Sequence, residues 1–223
     1  MTQAPRRTAV VLGATGLVGG HCLRLLLEER AYARVHVLTR RTLHQSHPRL
    51  VEHVVDFDRL EDRAEALLGE DVFCCLGTTI ARAGSQEAFR RVDHDYPLAA
   101  ARLARKQGAR HFLVVTAMGA DAGSRIFYNR VKGETEDELR ALGYPGLVIL
   151  RPSLLMGTRE EPRRAEEWGK RLSAVIGPLF IGPLAKYRPI QAEVVARAMV
   201  RAAERDPRGV RVMESDEIAR VGA

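Results

Sequence analysis

Cysteine is scarce in this sequence of 223 residues, which contains only three of them. Cys74 and Cys75 are neighbours in a segment with the composition of a β-strand, where successive side chains point to opposite faces and make poor disulfide partners. No C-x-x-C spacing is present. Reduced thiols in a cytoplasmic protein are therefore the simplest interpretation.

Long hydrophobic runs are also missing. The longest apolar stretch, 172–185, is interrupted by two Gly-Pro pairs and is too short to cross a bilayer. The first seven residues contain two arginines but no uninterrupted apolar region followed by a cleavage site, as a signal peptide would have. The sequence thus predicts a soluble cytoplasmic protein with no membrane partner.

Lysine is rare as well, since only four of the 35 basic residues are lysine. A net charge of +7 would suit a protein that binds nucleic acid. However, the arginines are scattered, and no basic cluster is interleaved with aromatic residues, which form only 5% of the chain. We therefore expect no nucleic-acid partner.

The pattern that is present is an alternation of apolar strands with amphipathic helices. Strands are predicted at 8–13, 34–39, 51–55, 71–77, 111–116 and 147–151, and helices at 17–29, 58–68, 85–107, 124–142 and 190–205. Such an alternation predicts an α/β fold with a doubly wound parallel sheet. The length indicates a single domain over 1–223, in which 152–223 contributes a small C-terminal cap on the substrate side.

Three glycines interrupt the chain between the first predicted strand and the first predicted helix. The pattern Gly13-x-x-Gly16-x-x-Gly19 is typical of the turn where a Rossmann-like sheet binds the pyrophosphate of a dinucleotide against a helix N-terminus. A tight turn without a ligand is the alternative. No Gly-Lys-Ser/Thr follows, which excludes a P-loop. The candidate cofactor-binding residues here are Gly13, Thr15, Gly16, Leu17, Val18 and Gly19.

The ends of the next two predicted strands indicate which dinucleotide is bound. Arg40 and Arg41 stand where an NAD-preferring site usually has a carboxylate, so the sequence favours NADP(H), whose 2′-phosphate arginine accommodates. A solvated basic turn is the alternative. Asp56 is a candidate acceptor for the adenine amino group, and its alternative role is to cap the helix predicted at 58–68.

A tyrosine and a lysine suggest the chemistry. Tyr128 and Lys132 are four residues apart in a predicted helix and so share one face of it. An ammonium near a phenol favours the phenolate, which makes tyrosine a more effective proton donor and acceptor near neutral pH. Such a pair can give a proton to a carbonyl oxygen while NADPH gives hydride to the carbon. An ordinary surface pair is the alternative.

These features resemble the short-chain dehydrogenase/reductase superfamily, in particular its atypical branch with the Tat-interactive protein oxidoreductase group. The resemblance rests on the segments "GATGLVGG", "VLTRR", "VVDFD", "DVFCCLGTT", "FRRVDHDY", "HFLVVTAMGAD", "FYNRVKGETE" and "RPSLLMG". It implies NADPH binding, Tyr128 and Lys132 in catalytic positions, and Leu76 and Gly77 beside the cofactor. It also implies a closing loop from Arg151-Pro152 and a further arginine near the cofactor, Arg163.

One position departs from the pattern of the resembled group. That group usually has Ser-Ser where this chain has Thr116-Ala117, and one of the two hydroxyls hydrogen-bonds the substrate carbonyl. Thr116 can supply that hydroxyl if the first position is the catalytic one. If it is the second, Ala117 supplies none and the triad is incomplete.

The sequence leaves two functions open. The first is an NADPH-dependent oxidoreductase of a small carbonyl or alcohol substrate, with Tyr128, Lys132 and Thr116 as catalytic residues. The second is a regulatory module that binds NADPH and a protein partner with little turnover. Either could be a monomer or a homodimer. No metal site is predicted, because His44 and His47 lack a third ligand nearby, and Asp93, His94 and Asp95 are expected to form a polar helix face or to contact the neighbouring helix.

Overall fold

The sheet is the centre of the molecule. The computed structural model of the protein describes residues 7–157 and 188–223. Seven strands form one sheet in which all pairings are parallel. They are β1 (Arg7–Leu12), β2 (Tyr32–Thr39), β3 (Leu50–Val54), β4 (Asp71–Cys74), β5 (His111–Val115), β6 (Gly146–Arg151) and β9 (Gly209–Glu214). Their order across the sheet is β3-β2-β1-β4-β5-β6-β9. The predicted doubly wound α/β fold is confirmed.

Helices cover both faces of this sheet. They are α1 (Leu17–Glu28), α2 (Ile80–Ala83), α3 (Gln86–Arg90), α4 (Tyr96–Lys106), α5 (Phe127–Ala141), α6 (Ala192–Glu204) and α7 (Ser215–Gly222). Strand side chains alternate between the two faces of the sheet. Val11 therefore lies in the core between the sheet and helices α1 and α6, whereas Val10 lies in the core between the sheet and helices α4 and α5. Burial on both faces explains why the inner strands read as continuous apolar runs.

The strand order places the loops after β1 and β4 next to each other. From β1 the chain winds outward through β2 to β3, and from β4 it winds the opposite way through β5 to β6. The two strands between which the direction reverses are themselves paired, with Leu12 opposite Cys74. A ligand crevice in such a sheet forms outside the carboxyl ends of the strands at this reversal.

Glycines allow the turn after β1 to pack against its neighbours. Gly13 has a φ of +83°, and a Cβ there would lie 2.6 Å from the carbonyl oxygen of Cys75. A Cβ on Gly19 would lie 2.1 Å from the carbonyl oxygen of Gly13. Any side chain at these two positions would push the start of α1 away from the sheet.

Two predicted helices differ from the regular form. The segment predicted as a helix at 58–68 is a 3-10 helix, Phe57–Leu67, with non-helical backbone at Arg59 and Arg63. The helix predicted at 85–107 comprises α3, a π-helical turn at Arg91–Asp95, and α4. The π-helical turn adds a residue to the helix and so changes which side chains face inward.

The last part of the chain contains more structure than the sequence predicts. The part of the predicted cap from Gly209 onward forms β9, which extends the main sheet beside β6, and α7, which packs on α6. The apolar pattern of β9 in the sequence is weak because this strand lies at the edge of the sheet, where Val210 is exposed. Of the predicted cap, β7 (Leu155–Met156) and β8 (Ile190–Gln191) form a small two-stranded sheet, and 158–187 lie outside the described residues.

Two features are absent from the described residues, 7–157 and 188–223. None of their helices is both long enough and apolar enough to span a bilayer. They also contain no group of three His, Cys, Asp or Glu side chains suited to hold a metal ion. All three cysteines are free thiols.

The glycine contacts predict opposite effects for two neighbouring positions of α1. Gly19→Ala should lower the free energy of unfolding by roughly 1–3 kcal/mol or more, because the new Cβ meets backbone. Gly20→Ala is the matched control, since its Cβ would lie an ordinary 3.4 Å from Ala14 O, and alanine should stabilise the helix by up to about 1 kcal/mol. Urea unfolding of both variants measures this. Equal stabilities would contradict the packing described here.

A stacked histidine pair predicts how stability depends on pH. His53 Nε2 lies 3.0 Å from His36 Nδ1 across β2 and β3. Burial, followed by neighbouring charges, lowers the pKa of both rings below their ordinary value of about 6.5. The unfolded chain therefore takes up protons first, so the contribution of the neutral pair is complete above about pH 6.5 and is lost as pH falls below it.

The histidine prediction is checked with thermal unfolding between about pH 7 and pH 5. The His36→Gln/His53→Gln double variant should lose less stability over this interval than the unaltered chain. His44→Asn is the control, because His44 is exposed and asparagine tolerates its φ of +53°. If the double variant lost as much stability over this interval as the unaltered chain, the pH dependence would not come from His36 and His53.

Candidate active site

A cleft of about 1120 Å³ lies at the carboxyl end of the sheet, where the strand order reverses. Tyr128 and Lys132 of α5 form part of its wall. The other main segments that line it are the start of α1 (16–18), the loop after β4 (75–79), the end of β5 and the loop after it (115–119), and the loop after β6 (151–155). The predicted residues Leu76 and Gly77 are among them.

The start of α1 is suited to bind an anion. Gly16 is its N-cap and provides no side-chain hydrogen bond, so the first N–H groups of the helix face the cleft without a capping oxygen. Leu17 and Val18 follow and also line the cleft. An N-terminus of this kind attracts a phosphate group through its N–H donors and the positive end of the helix dipole. Thr15 is exposed on the same turn.

The carboxylates that line the cleft are compatible with an anionic ligand. They are Asp93 and Glu214, and both are paired with a cation. Asp93 Oδ1 lies 2.8 Å from Lys132 Nζ, and Glu214 Oε1 lies 3.2 Å from an Arg151 nitrogen. Together with the glycine turn and the uncapped start of α1, this pairing fits a dinucleotide.

The predicted specificity residues follow β2 and β3, the two strands on one side of β1. Arg40 and Arg41 directly follow β2 and are exposed, and neither forms an ion pair with another described residue. The hydroxyl of Thr39 donates to the carbonyl oxygen of Arg41 at 2.8 Å, which holds the turn. Asp56 is also exposed, and its carboxylate accepts from the Asp58 N–H at 3.0 Å, so it caps the 3-10 helix.

The predicted tyrosine–lysine pair lies on the cleft side of α5. The ring of Tyr128 packs against Phe89, with ring centroids 5.4 Å apart. Lys132 is buried, and burial alone would lower its pKa. The attraction of Asp93, with smaller contributions from Tyr128 and Cys74, reverses that effect, so the pKa of Lys132 is raised above its ordinary value.

Asp93 is a member of this site that the sequence analysis did not identify. It lies in the π-helical turn and is 2% exposed. One carboxylate oxygen faces Lys132, and the other accepts from the Thr78 N–H at 2.8 Å. Sequence spacing gave no reason to separate Asp93 from His94 and Asp95, because a regular helix would be assumed and only the π-helical turn sets which of them points inward.

Thr116 lines the cleft, but its hydroxyl is already used inside the protein. Its Oγ1 donates to Glu136 Oε1 at 2.7 Å and also lies 3.3 Å from the carbonyl oxygen of Leu150. A hydroxyl has one proton to donate. While Glu136 is ionised, the Thr116 proton is therefore not free for a substrate, and the adjacent Ala117 has no hydroxyl.

Glu136 is the centre of a buried charge network at this end of the cleft. It has no exposed surface and accepts two hydrogen bonds from Arg151, at 2.9 Å and 2.6 Å. Arg140 contributes a third at 3.0 Å. Because a buried carboxylate is stable only when paired, this network fixes Arg151 in the wall of the cleft. The predicted cofactor residue Arg163 lies outside the described residues.

Sequence comparisons identify the relatives of this chain. A model of the NAD(P)H-binding family matches residues 13–206. Protein HTATIP2 of Rattus norvegicus is 38% identical over 72% of this chain and 67% of its own. The mitochondrial protein FMP52 of Eremothecium gossypii is 37% identical over 94% of this chain and 95% of its own. These relatives confirm the resemblance found in the sequence.

Solved structures share the fold. MoeE5 in complex with UDP-glucose and NAD matches with a TM-score of 0.67 and 16% identity, over 97% of this chain and 81% of its own. UDP-glucuronic acid 4-epimerase from Bacillus cereus in complex with NAD matches with a TM-score of 0.66 and 15% identity, over 94% of this chain and 78% of its own. At such identities the likeness concerns the fold alone.

The relatives also correct one expectation. The sequence analysis predicts a cytoplasmic protein, and the FMP52 proteins of Eremothecium gossypii and Aspergillus clavatus are named mitochondrial. The cytoplasmic prediction is therefore wrong. It rested on scarce cysteines and a missing signal peptide, and those features speak against secretion without distinguishing compartments inside the cell.

The fold, the glycine turn and the sequence relatives agree with one another. The chain belongs to the NAD(P)H-binding family and is a homologue of HTATIP2 and FMP52.

Proposed function

We propose that this protein is an NADPH-dependent oxidoreductase that reduces a small carbonyl compound, or oxidises the corresponding alcohol. The observation that carries the proposal is that one cleft holds both an anion-binding helix start and the pair Tyr128 and Lys132. The first suits the pyrophosphate of a dinucleotide, and the second suits proton transfer next to its nicotinamide. The family description includes both NADH and NADPH, so the preference for NADPH is part of the proposal.

The proposed cofactor contacts follow the carboxyl edge of the sheet. The N–H groups at the start of α1 bind the pyrophosphate, and Arg40 and Arg41 bind the 2′-phosphate of the adenosine ribose. Leu76 and Gly77 pass beside the cofactor after β4. Asp56 accepts from the adenine amino group with the carboxylate oxygen that its capping bond leaves free. Arg163 remains a proposed contact.

The chemistry then requires one proton donor and one orienting cation. NADPH, when bound, supplies the hydride that the carbonyl carbon receives. Tyr128 donates its phenolic proton to the carbonyl oxygen, and the exposed cleft lets solvent return that proton. Lys132 donates hydrogen bonds to the ribose hydroxyls beside the nicotinamide. Its charge also stabilises the phenolate that Tyr128 leaves behind.

Thr116 remains in the proposed catalytic set, but only as a hydrogen-bond acceptor for the substrate. Because its proton is donated to Glu136, it offers the substrate an acceptor oxygen, while the hydrogen bonds that Arg151 donates to Glu136 hold Arg151 in the cleft wall. This arrangement makes Tyr128 the proposed donor to the substrate oxygen. Apolar side chains, among them Met118 and Leu155, line the cleft. Such a lining suits a small and mainly apolar carbonyl compound.

The arginine pair predicts a difference between the two cofactors. The Arg40→Ala/Arg41→Ala double variant should bind NADPH at least 10-fold more weakly, because each lost charge-assisted hydrogen bond is worth roughly 1.5–3 kcal/mol. Its affinity for NADH, which has no 2′-phosphate, should be unchanged. Calorimetric titration with both cofactors measures the difference.

Arg30→Ala is the matched control for this pair. Arg30 is exposed beyond the far end of α1, away from the cleft, so its loss should change neither affinity. If the double variant bound both cofactors equally weakly, or both normally, the arginines would have no role in choosing NADPH.

The phenol predicts a loss of turnover without a loss of cofactor binding. Tyr128→Phe should slow reduction by roughly 10²- to 10⁴-fold, the usual contribution of a positioned proton donor. Its dissociation constant for NADPH should stay the same, because the proposed ribose contacts belong to Lys132. The assay follows NADPH consumption with a panel of small aldehydes and ketones.

Tyr96→Phe is the control for the phenol, since the Tyr96 hydroxyl donates to Asp58 at 2.9 Å outside the cleft. Its turnover should equal that of the unaltered chain. Full turnover in Tyr128→Phe would remove the proposed mechanism. Tight NADPH binding without consumption of any carbonyl compound would instead favour a regulatory module that acts on a protein partner.

A further inference from the structure

The ion pair between Asp93 and Lys132 is unusual in its depth. Both side chains are almost fully buried, with 1% and 5% of their surface exposed, and the two charged atoms are 2.8 Å apart. The pair lies under the loop after β4, since a Cβ on Gly77 would lie 3.4 Å from Asp93 Oδ1. The loop therefore covers the ion pair and separates it from solvent.

The carboxylate is held in place by the main chain as well as by the lysine. Asp93 Oδ2 accepts from the Thr78 N–H at 2.8 Å, which ties the π-helical turn to the loop that follows β4. The hydroxyl of Thr135, in α5, lies 3.2 Å from the Asp93 carbonyl oxygen. These contacts fix the position of Asp93 relative to both the loop and α5.

Among the titratable groups near Lys132, Asp93 does most to raise the pKa of Lys132. Burial raises the pKa of the Cys74 thiol to about 12, so that group is neutral. Tyr128 faces Lys132 from the same helix and also raises the pKa of Lys132, by less than Asp93 does. The neighbouring His94 and Asp95 bond to each other at 2.8 Å, and His94 also faces Glu138, away from Lys132.

An ammonium buried without a partner loses its proton readily, because burial disfavours the charged form. Lysine would then lose one of its three donors and the charge that orients the others. A carboxylate beside it reverses the balance. The depth of Lys132 therefore makes its protonation depend on Asp93.

We propose that Asp93 is a positioning residue for the reaction proposed above, and that it keeps Lys132 protonated and directed at the site of the nicotinamide ribose. It would not touch cofactor or substrate itself. The proposal rests on the proposed function, but the charge of Lys132 can be measured in the protein without cofactor. Failure of one can therefore be distinguished from failure of the other.

The direct test is a titration of Lys132 by NMR in the chain labelled with ¹³C at the lysine ε-carbons. Only four lysines contribute signals, and Lys132→Arg identifies the one of interest. In the unaltered chain Lys132 should stay protonated up to or beyond the ordinary lysine value of about 10.4. In Asp93→Asn it should release its proton at least one pH unit lower.

Asp95→Asn is the matched control, because it removes the same charge from the same π-helical turn while Asp95 contacts His94. It should leave the Lys132 titration unchanged. An unchanged titration in Asp93→Asn would overturn the proposal. So would a titration of Lys132 well below about 10.4 in the unaltered chain, which needs no variant and decides the matter even if Asp93→Asn does not fold.

Cofactor affinity gives a second readout that a merely structural role would not move. The affinity of Asp93→Asn for NADPH should fall about 10-fold between about pH 8 and pH 10.4, because Lys132 then loses its proton about one pH unit below its ordinary value, and the affinity should recover at the lower pH. Over the same interval the ratio of this affinity to that of Asp95→Asn should change. A constant ratio would show that Asp93 acts on the fold alone.

Discussion

The close approach of three backbone segments determines the geometry of the cleft. The turn after β1 meets the carbonyl of Cys75 after β4, and the first turn of α1 meets the carbonyl of Gly13, both at distances that only glycine permits. As a result, the uncapped start of α1 lies between the carboxyl ends of β1 and β4. This end of the helix, which is suited to bind an anion, is thereby placed at the point where the strand order reverses.

The proposed chemistry depends on a second group of contacts, made across the cleft by α5. This helix contributes Tyr128 and Lys132 to the cleft, and Glu136 to the buried network beside Thr116. Each of the two buried ions has an opposite charge within hydrogen-bond distance, Asp93 for Lys132 and Arg151 for Glu136. The free energy cost of burying these charges is offset locally, and the side chains are fixed in the process.

Local sequence patterns predict the fold, and they single out several residues that the structure brings together in one cleft. Apolar strands, the glycine spacing and the four-residue spacing of Tyr128 and Lys132 all depend on short-range geometry, which a sequence carries directly. Asp93 was missed because the π-helical turn that points it inward leaves no clear mark in the sequence. The bond from Thr116 to Glu136 was missed for another reason, since it joins residues 20 positions apart through the packing of α5 on β5. The edge strand β9 carries only a short, half-exposed apolar pattern.

The central claim is that the cleft is a dinucleotide site in which one helix start binds the pyrophosphate and α5 serves the nicotinamide. The most direct measurement is a crystal structure of the full chain grown with NADP⁺. The account predicts the pyrophosphate at the N–H groups of Leu17 and Val18, and the nicotinamide ribose within hydrogen-bond distance of Lys132. A dinucleotide bound elsewhere, or bound with its nicotinamide away from Tyr128, would contradict it.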